Sequence, residues 1–569
     1  TSSSQEPEKP GDRTSAGTSG TTGSAAGSAE KGTGTAKQET GTTAAKPADP
    51  TPVDAGKADA AKNVAPGGTP AVATANEALS LESQAMLEQL KQIRSRVPFL
   101  FLDLKRDLSA IDFDLKRAIK LGEEFRAANP TNKLTPEIVA YLGRDYLSRY
   151  KRHLVDYRNR INKEIQGALP KAAADQEVQT LLKEEAGRYL SHMRTLGQFA
   201  FEKAQKGTKA RYLALGLQSD IAEKDFNFRE QIRYAKMLLE EFPDAEHRSK
   251  FQIDVGKALF YLADYESAAK WMREVISKHK ADREYAIYNS VLFESLNGIG
   301  DLEGMEKLMR QIGDEYPERI AKATSGHYKG QYSQWYNIRS FWIGFARYAL
   351  GDVEGARSAL LDCQAHLQKL RAELIAQKKD LPSVEGIILK FRVNDVLHYL
   401  DTFHGKEPVV SEACAGKIAR ADMEDGVHWV TPHKISLESA KGKIVPILFR
   451  LPETKRTQTF LQELDELGKE MDDVAPMTLA FLPSKVSQEQ KEQRFQKMVR
   501  DLDHLEVDMP AGFDMSPNQC VFRSVHATVG TGSFIVYDKE GRAAWYLPDP
   551  RDMDRKILER VLKRLRTAS

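Results

Sequence analysis

Cysteine can form disulfides, bind metal ions or act as a nucleophile, and this chain contains three cysteines. Their spacing argues against the first two roles. Cys363, Cys414 and Cys520 stand far apart, and no two of them form a CxxC pair or a metal-type spacing. We therefore expect neither a disulfide framework nor a cysteine-rich zinc site. Cys520 could act with an external thiol, although a lone cysteine of this kind more often packs as a small buried side chain.

Histidine and glycine patterns do not point to catalysis or to a nucleotide. The sequence contains no HExxH pair, no GxxxxGK[ST] or GxGxxG phosphate loop and no GxSxG nucleophile turn. Four histidines of the helical region are scattered, namely His153, His192, His247 and His279. We expect no catalytic residue, no metal site, no cofactor and no nucleotide.

A basic and aromatic stretch over residues 141–161 allows two interpretations. It could form a helix that binds RNA or phospholipid. Alternatively, it is an amphipathic helix whose apolar side faces the core while its arginines are solvated; that side carries Leu142, Tyr146, Tyr150 and Leu154. The net charge of +2 does not favour nucleic acid for the chain as a whole. We expect the second interpretation.

Composition and periodicity divide the 569 residues into several segments, because a chain of this length exceeds one hydrophobic core. Residues 1–76 are rich in Thr, Ser, Gly and Ala and hold no aromatic residue, which predicts a disordered tether. Helical periodicity predicts a bundle or hairpin array over 77–207 and repeated helix pairs over 208–405. A linker over 406–432 leads to 433–569, where strands alternate with helices.

The termini and hydropathy bear on location. No run of 18 apolar residues occurs, so we expect no membrane-spanning helix. The sequence starts at Thr1 without a signal peptide, which suggests a chain from which a signal or a lipidated cysteine has been removed. We expect an extracytoplasmic protein of the periplasm or cell envelope that such a lipid could tether to a membrane, with a cytoplasmic location as the alternative.

A turn phrase with Gly or Ala close before Asp recurs three times in the region of helix pairs. Its aspartates are Asp264, Asp301 and Asp352, which stand 37 and 51 residues apart. An Asp at the start of a helix can accept a hydrogen bond from a free backbone N–H group. Each phrase therefore predicts the turn inside one helix pair.

These phrases resemble the tetratricopeptide repeat. Pro243 and Pro317 match the closing proline of that family, and Gly256 and Gly344 match its small residue eight positions before the turn aspartate. Phe293 departs from the family at the same position, and the spacing is looser than the strict repeat. The resemblance implies an α-solenoid of stacked helix pairs.

Such a solenoid presents a concave face that binds proteins or peptides. Projecting the repeat geometry places seven residues on that face: Lys257, Phe260, Tyr261, Glu294, Asn297, Phe345 and Tyr348. Phe260, Phe345 and Tyr348 fit equally well as core residues between repeats, and the sequence leaves both interpretations open.

The C-terminal region changes to short apolar runs separated by amphipathic helices. The pattern predicts strands over 443–449, 477–482, 533–538 and 543–547, with helices over 458–471, 488–505 and 555–565. The last two strands should form a hairpin around Gly541.

This order resembles the thioredoxin fold, in the branch of membrane-anchored thiol-disulfide oxidoreductases and peroxiredoxin relatives. That family places a CxxC motif at the start of the helix after its first central strand, where the helix N-terminus lowers the pKa of the reactive thiol. The corresponding residues here are Thr454-Lys455-Arg456-Thr457. The family's cis-proline position is occupied by Gly532 in Gly530-Thr531-Gly532. The resemblance therefore implies a thioredoxin-like domain without redox chemistry.

The combined expectation is a multidomain, non-catalytic scaffold or assembly subunit: an α-solenoid followed by an α/β thioredoxin-like domain. Two alternatives remain open. One is a thiol oxidoreductase or peroxidase-like enzyme that uses Cys520, and the other is a binder of RNA or of the envelope surface through residues 141–161.

Overall fold

The structure of this chain is a computed structural model. It describes residues 79–96, 108–165, 190–245, 247–377, 387, 391–407, 427–431, 435, 439–449, 454–480, 486–514, 533–548 and 555–568. The predicted tether over 1–76 and most of the predicted linker lie outside these ranges. The described residues belong to one compact unit that begins at Ala75, and the predicted domain borders within it stay predictions.

Helices account for the described chain from residue 81 to residue 402. They are α1 (Leu81–Arg96), α2 (Leu108–Ala128), α3 (Thr135–Ile165), α4 (190–203), α5 (Lys209–Lys224), α6 (Phe228–Glu241), α7 (Arg248–Tyr261), α8 (Tyr265–Lys278), α9 (Tyr285–Ile299), α10 (Leu302–Lys322), α11 (Gly326–Leu350), α12 (Val353–Ala376) and α13 (Val393–Thr402). From α5 to α12 each helix packs against the next. Short turns join these helices, so consecutive helices run in opposite directions.

The predicted capping role of the turn aspartates is confirmed. Asp264, Asp301 and Asp352 are the N-cap residues of α8, α10 and α12, and each side chain accepts a hydrogen bond from the backbone N–H three residues on. The structure adds a fourth turn of the same kind, where Asn227 caps α6. Asn227 lies 37 residues before Asp264, which extends the regular spacing by one pair.

Close approach within the pairs is also confirmed at two of the three positions. A side chain added at Gly256 of α7 would overlap Met272 of α8, and one added at Gly344 of α11 would lie 2.8 Å from Leu360 of α12. Phe293, which replaces the small residue in α9, is buried instead against aromatic rings of α11. Phe293 thus packs on α11 of the next pair, whereas the glycines at the other two positions lie against the second helix of their own pair.

Proline marks a helix end at one of the two predicted positions. Pro243 follows Phe242, the C-cap of α6, as expected. The prediction that Pro317 closes the second unit is wrong, because α10 continues through it to Lys322. Its neighbour Tyr316 is fully buried, so tertiary packing outweighs the lost backbone hydrogen bond.

The described residues of the C-terminal region form a six-stranded mixed sheet with three helices. Its elements are β1 (Val427–Trp429), β2 (Val445–Leu448), α14 (Lys455–Glu470), β3 (Met477–Ala480), α15 (Gln488–Leu505), β4 (Ala511–Asp514), β5 (Phe534–Tyr537), β6 (Ala543–Leu547) and α16 (Arg555–Thr567). The strand order is β1-β4-β3-β2-β5-β6. Strands β2, β3 and β4 are parallel, whereas β5 and β6 form the predicted hairpin beside β2.

Every strand and helix predicted for residues 443–567 is present within a few residues of its expected bounds. Two strands were not predicted. Strand β1 lies inside the predicted linker over 406–432, and β4 pairs with both β1 and β3. A four-residue strand that contains Gly512 has too weak a pattern to recognise, and Gly512 is there because a larger residue would meet Val427 of β1.

Helix α16 fastens the sheet to the helix pairs. It contacts α9 and α11, and one buried hydrophobic cluster runs from Ile253 in α7 to Leu565 in α16. Arg560 donates to the Gly300 carbonyl at 2.8 Å and to both carboxylate oxygens of Glu303 at 2.7 Å. Gly300 has a φ of +77° and sits close under this helix, since an added Cβ would lie 3.0 Å from the backbone carbon of Lys556.

Gly300→Ala should therefore lower the free energy of unfolding by more than Gly207→Ala. Both glycines have a positive φ, which costs a larger residue roughly 1–3 kcal/mol, but nothing lies within 4 Å of Gly207. We expect an additional loss of about 1 kcal/mol or more at Gly300, because the new methyl group pushes on the α16 backbone. Urea unfolding of both variants measures the difference, and equal losses would contradict this packing.

Candidate functional site

The residues predicted to replace a redox pair lie at the N-terminus of α14, directly after β2. Thr454 is the N-cap: its side chain accepts a hydrogen bond from the Thr457 backbone N–H at 3.2 Å. The two threonine hydroxyl oxygens are 2.8 Å apart. As a residue, Thr454 is exposed and Thr457 is buried.

This arrangement stabilises a helix and supplies no nucleophile for disulfide exchange. A threonine hydroxyl satisfies one of the free N–H groups of the first turn, and it does not ionise near neutral pH. The predicted proline position, Gly532, lies outside the described residues, as do Cys414 and Cys520. Cys363 lies buried in α12, and this burial raises the pKa of its thiol to about 11.

The seven predicted groove residues do not form one exposed surface. Lys257, Tyr261 and Glu294 are exposed, whereas Phe260 and Asn297 are half-buried. Phe345 and Tyr348 are buried, so the projection onto a groove is wrong for these two, and the alternative core interpretation holds for them.

Phe345 and Tyr348 are buried by the C-terminal region. The Phe345 ring lies 6.1 Å from the Trp545 ring of β6, and the Tyr348 hydroxyl lies 3.2 Å from His404 Nδ1. Arg564 of α16 donates to the Tyr348 carbonyl at 3.3 Å. These positions on α11 therefore hold the sheet in place and are closed to a partner.

An exposed row of aromatic side chains occupies the turns that α16 leaves open. Phe226 is 79% exposed and Tyr261 is 60% exposed, and the Phe228 ring connects them, with centroids 6.3 Å and 5.1 Å away. Phe260 and Tyr265 continue the row beyond Tyr261. We call Phe226, Phe228, Phe260, Tyr261 and Tyr265 the aromatic row. Only Tyr261 and Phe260 were predicted, because the α5–α6 turn lacks the Gly/Ala-Asp phrase.

A cavity lies at the ends of α5, α6 and α7 that are far from the aromatic row. This cavity of about 570 Å³ is bordered by apolar rings and two basic residues, namely Tyr141, Tyr212, Phe242, Pro243, Lys209 and His247. Lys209 forms an ion pair with Glu137 at 3.0 Å. The charges around the cavity are therefore mixed, and they do not select one class of ligand.

The basic stretch over 141–161 lies in α3, and its first half packs inward as the amphipathic interpretation predicts. Leu142 is buried, while Tyr146 and Tyr150 are partly buried against hydrophobic clusters. Arg144 lies against Gly216 of α5, and Asp145 is paired with Arg94 of α1 at 3.3 Å. The side chains of residues 151–165, which include the predicted core residue Leu154, are not among those that the structure describes.

Among the described residues, no group of three or more His, Cys, Asp and Glu side chains is placed to hold a metal ion. No helix in the described ranges has the length and apolar character to cross a bilayer. Of the scattered histidines, His192 contacts Glu123 at 2.9 Å.

Comparison with solved structures gives partial likenesses that cover about a quarter of this chain. No protein-family model matches the chain, and no curated protein matches it significantly. One solved structure is a putative protein disulfide isomerase from Bacteroides thetaiotaomicron, with 14% identity over 25% of this chain and 82% of that chain and a TM-score of 0.19. Another is a putative thiol:disulfide interchange protein DsbE from Chlorobium tepidum, with 13% identity, 24% and 92% coverage and a TM-score of 0.19. At these scores neither likeness supports a function.

The geometry at the start of α14 predicts that a disulfide can be built there. In a Cys414→Ser/Cys520→Ser background, Thr454→Cys/Thr457→Cys should form an intramolecular disulfide on mild oxidation, because the two side-chain atoms are already adjacent. The thiol introduced at 454 should have a lowered pKa at the helix N-terminus. Mass spectrometry and the pH dependence of alkylation measure both.

The matched control is Thr459→Cys/Gln462→Cys, which has the same spacing inside the same helix and exposed side chains. It should stay reduced under the same conditions, because regular helix geometry does not bring such a pair together. Equal oxidation of both pairs would contradict the proposed special geometry at the helix start.

The contact between Tyr348 and His404 predicts a pH-dependent stability. Burial lowers the pKa of His404, and the Arg564 charge lowers it further, whereas Asp538 raises it. Since the folded pKa lies below the unfolded value of about 6.5, the contribution of neutral His404 is complete above that pH and is lost as the pH falls through the folded pKa. His404→Asn should therefore reduce the fall in Tm between pH 7 and pH 5.

The control for this experiment is His327→Asn, since His327 is exposed near the start of α11. Its Tm should follow that of the wild type at each pH. If the Tm of His404→Asn and that of the wild type fall by the same amount between pH 7 and pH 5, the contact of neutral His404 with Tyr348 does not contribute to stability.

Proposed function

We propose that this chain is a non-catalytic protein-binding scaffold or assembly subunit, in which tetratricopeptide-like helix pairs form a solenoid that carries a thioredoxin-like domain. The observation that carries the proposal is the aromatic row. Large exposed aromatic side chains in contact with one another are costly to leave in water, and contiguous exposed apolar patches commonly mark protein-binding surfaces. The row sits on capped turns of a packed helical framework, which holds it in one conformation for a partner.

The absence of redox chemistry is the second part of the proposal. Thr454 and Thr457 occupy the helix start where a thioredoxin-like enzyme needs its thiols, and their hydroxyls bond to one another and to the helix. The strand order around β2, with parallel β3 on one side and the antiparallel β5–β6 hairpin on the other, supports the thioredoxin-like assignment. The extracytoplasmic location stays a prediction from the sequence.

We expect the full chain to leave the rate of insulin reduction by dithiothreitol unchanged. Exchange requires an attacking thiolate and a second thiol that resolves the mixed disulfide, and the helix start supplies neither. Cys520→Ser should give the same rate as the wild type. Catalysis that Cys520→Ser abolishes would replace this proposal with the thiol oxidoreductase alternative.

Site-specific photo-crosslinking in the cells that naturally make this protein tests partner binding directly. A photoreactive residue at position 261 should give discrete protein adducts, and one at Ile375, which is 53% exposed at the end of α12, should give none above background. If neither position 261 nor position 226 captures a protein, the aromatic row is not a protein-binding surface and the scaffold proposal fails.

A further inference from the structure

Four turns at one edge of the helix array share the same backbone geometry. In each, a residue with positive φ directly precedes the N-cap of the second helix: Phe226–Asn227, Ala263–Asp264, Gly300–Asp301 and Gly351–Asp352. Neighbouring turns touch, since Phe228 contacts Tyr261 and the Tyr265 ring lies against Gly298. Between the third and fourth turns, Arg347 donates a hydrogen bond to the Glu306 carboxylate at 3.0 Å. The four turns therefore form one continuous ledge.

Helix α16 covers the third and fourth turns of this ledge. Gly300 lies under the backbone of Lys556, and Gly351 lies under the Arg564 guanidinium, which a side chain at position 351 would displace. Arg560 anchors the helix by a two-pronged ion pair with Glu303, two residues after the cap Asp301. A basic helix thus recognises a turn through its carbonyl and its acidic residues.

Helix α16 does not cover the first and second turns. The second turn repeats the acidic residues of the third, whereas the first turn carries Asn227 and Arg229 at the positions of Asp301 and Glu303. Phe226 and Ala263 hold the positive-φ positions, with φ of 55° and 58°, although a side chain there is strained. Asp264 and Glu266 stand at the same spacing as Asp301 and Glu303 in the covered turn, and both are exposed. The aromatic row supplies an apolar surface beside these carboxylates.

We propose that this open half of the ledge binds a basic amphipathic helix of a partner protein, which continues the track of α16. An arginine or lysine of the partner pairs with Glu266 as Arg560 pairs with Glu303, and apolar side chains one or two turns away pack on Phe228 and Tyr261. The proposal rests on the proposed scaffold function and names the chemistry of its partner.

Two observations select this occupant. The surface is continuous with an interface that already holds a helix rich in Arg and Lys, and the exposed carboxylates at the second turn complement positive charge. Helix α16 has 13 residues, so it spans about 20 Å and crosses two turns of the ledge. A partner helix of three to four turns therefore suffices to reach from Phe226 to Glu266.

Binding of designed peptides to the full chain tests the proposal. The probes are two labelled 14-residue helical peptides with identical leucines at i, i+3, i+4 and i+7, one with arginine and one with glutamate at the polar positions. Fluorescence anisotropy should show the basic peptide binding at least about tenfold more tightly than the acidic one, because only it pairs with the acidic turn. Tyr261→Ala should weaken the basic peptide at least about fivefold, as expected for an aromatic anchor.

A charge swap separates specific docking from general attraction to a charged protein. Glu266→Arg should weaken the basic peptide and strengthen the acidic one, whereas Glu354→Arg, the corresponding position of the fourth turn, and Ile375→Ala should change neither. Circular dichroism of each variant establishes that the fold is intact. Equal affinity of the two peptides, or affinities that Glu266→Arg does not exchange, would overturn the proposal.

Other occupants give different results. A dimer in sedimentation velocity that Tyr261→Ala dissociates would assign the surface to a second copy of this chain and overturn the partner-helix proposal. If the chain binds vesicles of anionic phosphatidylserine and Tyr261→Ala abolishes this binding, the surface is a membrane-binding site. This result would also overturn the partner-helix proposal. If position 261 captures a protein but Glu266→Arg does not exchange the affinities of the two peptides, only the proposed chemistry of the partner helix is overturned. If neither position 261 nor position 226 captures a protein, the scaffold function itself is overturned.

Discussion

The docking of α16 on the turns of the helix pairs is the constraint on which the rest of the structure depends. Arg560 and Arg564 bind backbone carbonyls of α9–α10 and α11, so charged groups hold the rim of the contact. Aromatic rings join the same two regions elsewhere: Tyr399 of α13 stacks on Tyr546 of β6 with ring centroids 4.3 Å apart. The loop after α13 also bonds to the sheet edge, where Gly405 donates to the Ala543 carbonyl at 2.8 Å. The helical and sheet regions therefore share one core.

This shared core explains where prediction from the sequence succeeded and where it did not. Apart from β4, the elements of residues 443–565 were recognisable, because each is a short apolar run or an amphipathic helix bounded by polar residues. Asp264, Asp301 and Asp352 were recognisable as N-caps by residue type alone. Phe345 and Tyr348 were ambiguous, since repeat geometry shows which side of a helix they occupy but not that a strand 200 residues later covers it. The first turn went unrecognised because Phe226 stands where the other turns carry Gly or Ala.

The site at the start of α14 shows how little a fold constrains chemistry. The same helix start that would stabilise a thiolate is occupied by Thr454, whose hydroxyl satisfies a backbone N–H group and supports the helix. Position and local geometry could be predicted from the resemblance, because the strand before the helix and the helix itself follow from hydrophobic pattern. Whether this helix start can catalyse disulfide exchange depends only on the side chains at positions 454 and 457. Thr454 keeps the helix stable because it acts as an N-cap, although it cannot act as a nucleophile in disulfide exchange.

The closure of the core by the last helix has a consequence for the order of synthesis. Phe345 and Tyr348 leave the ribosome long before Trp545 and Arg564, which bury them. At roughly 5–20 residues per second, the interval is on the order of 10–40 seconds, during which a large apolar surface of α11 has no cover. We therefore expect holding chaperones to bind the nascent chain until α16 emerges, and a chain interrupted before α16 to remain recognisable as incomplete by the apolar surface that it cannot bury.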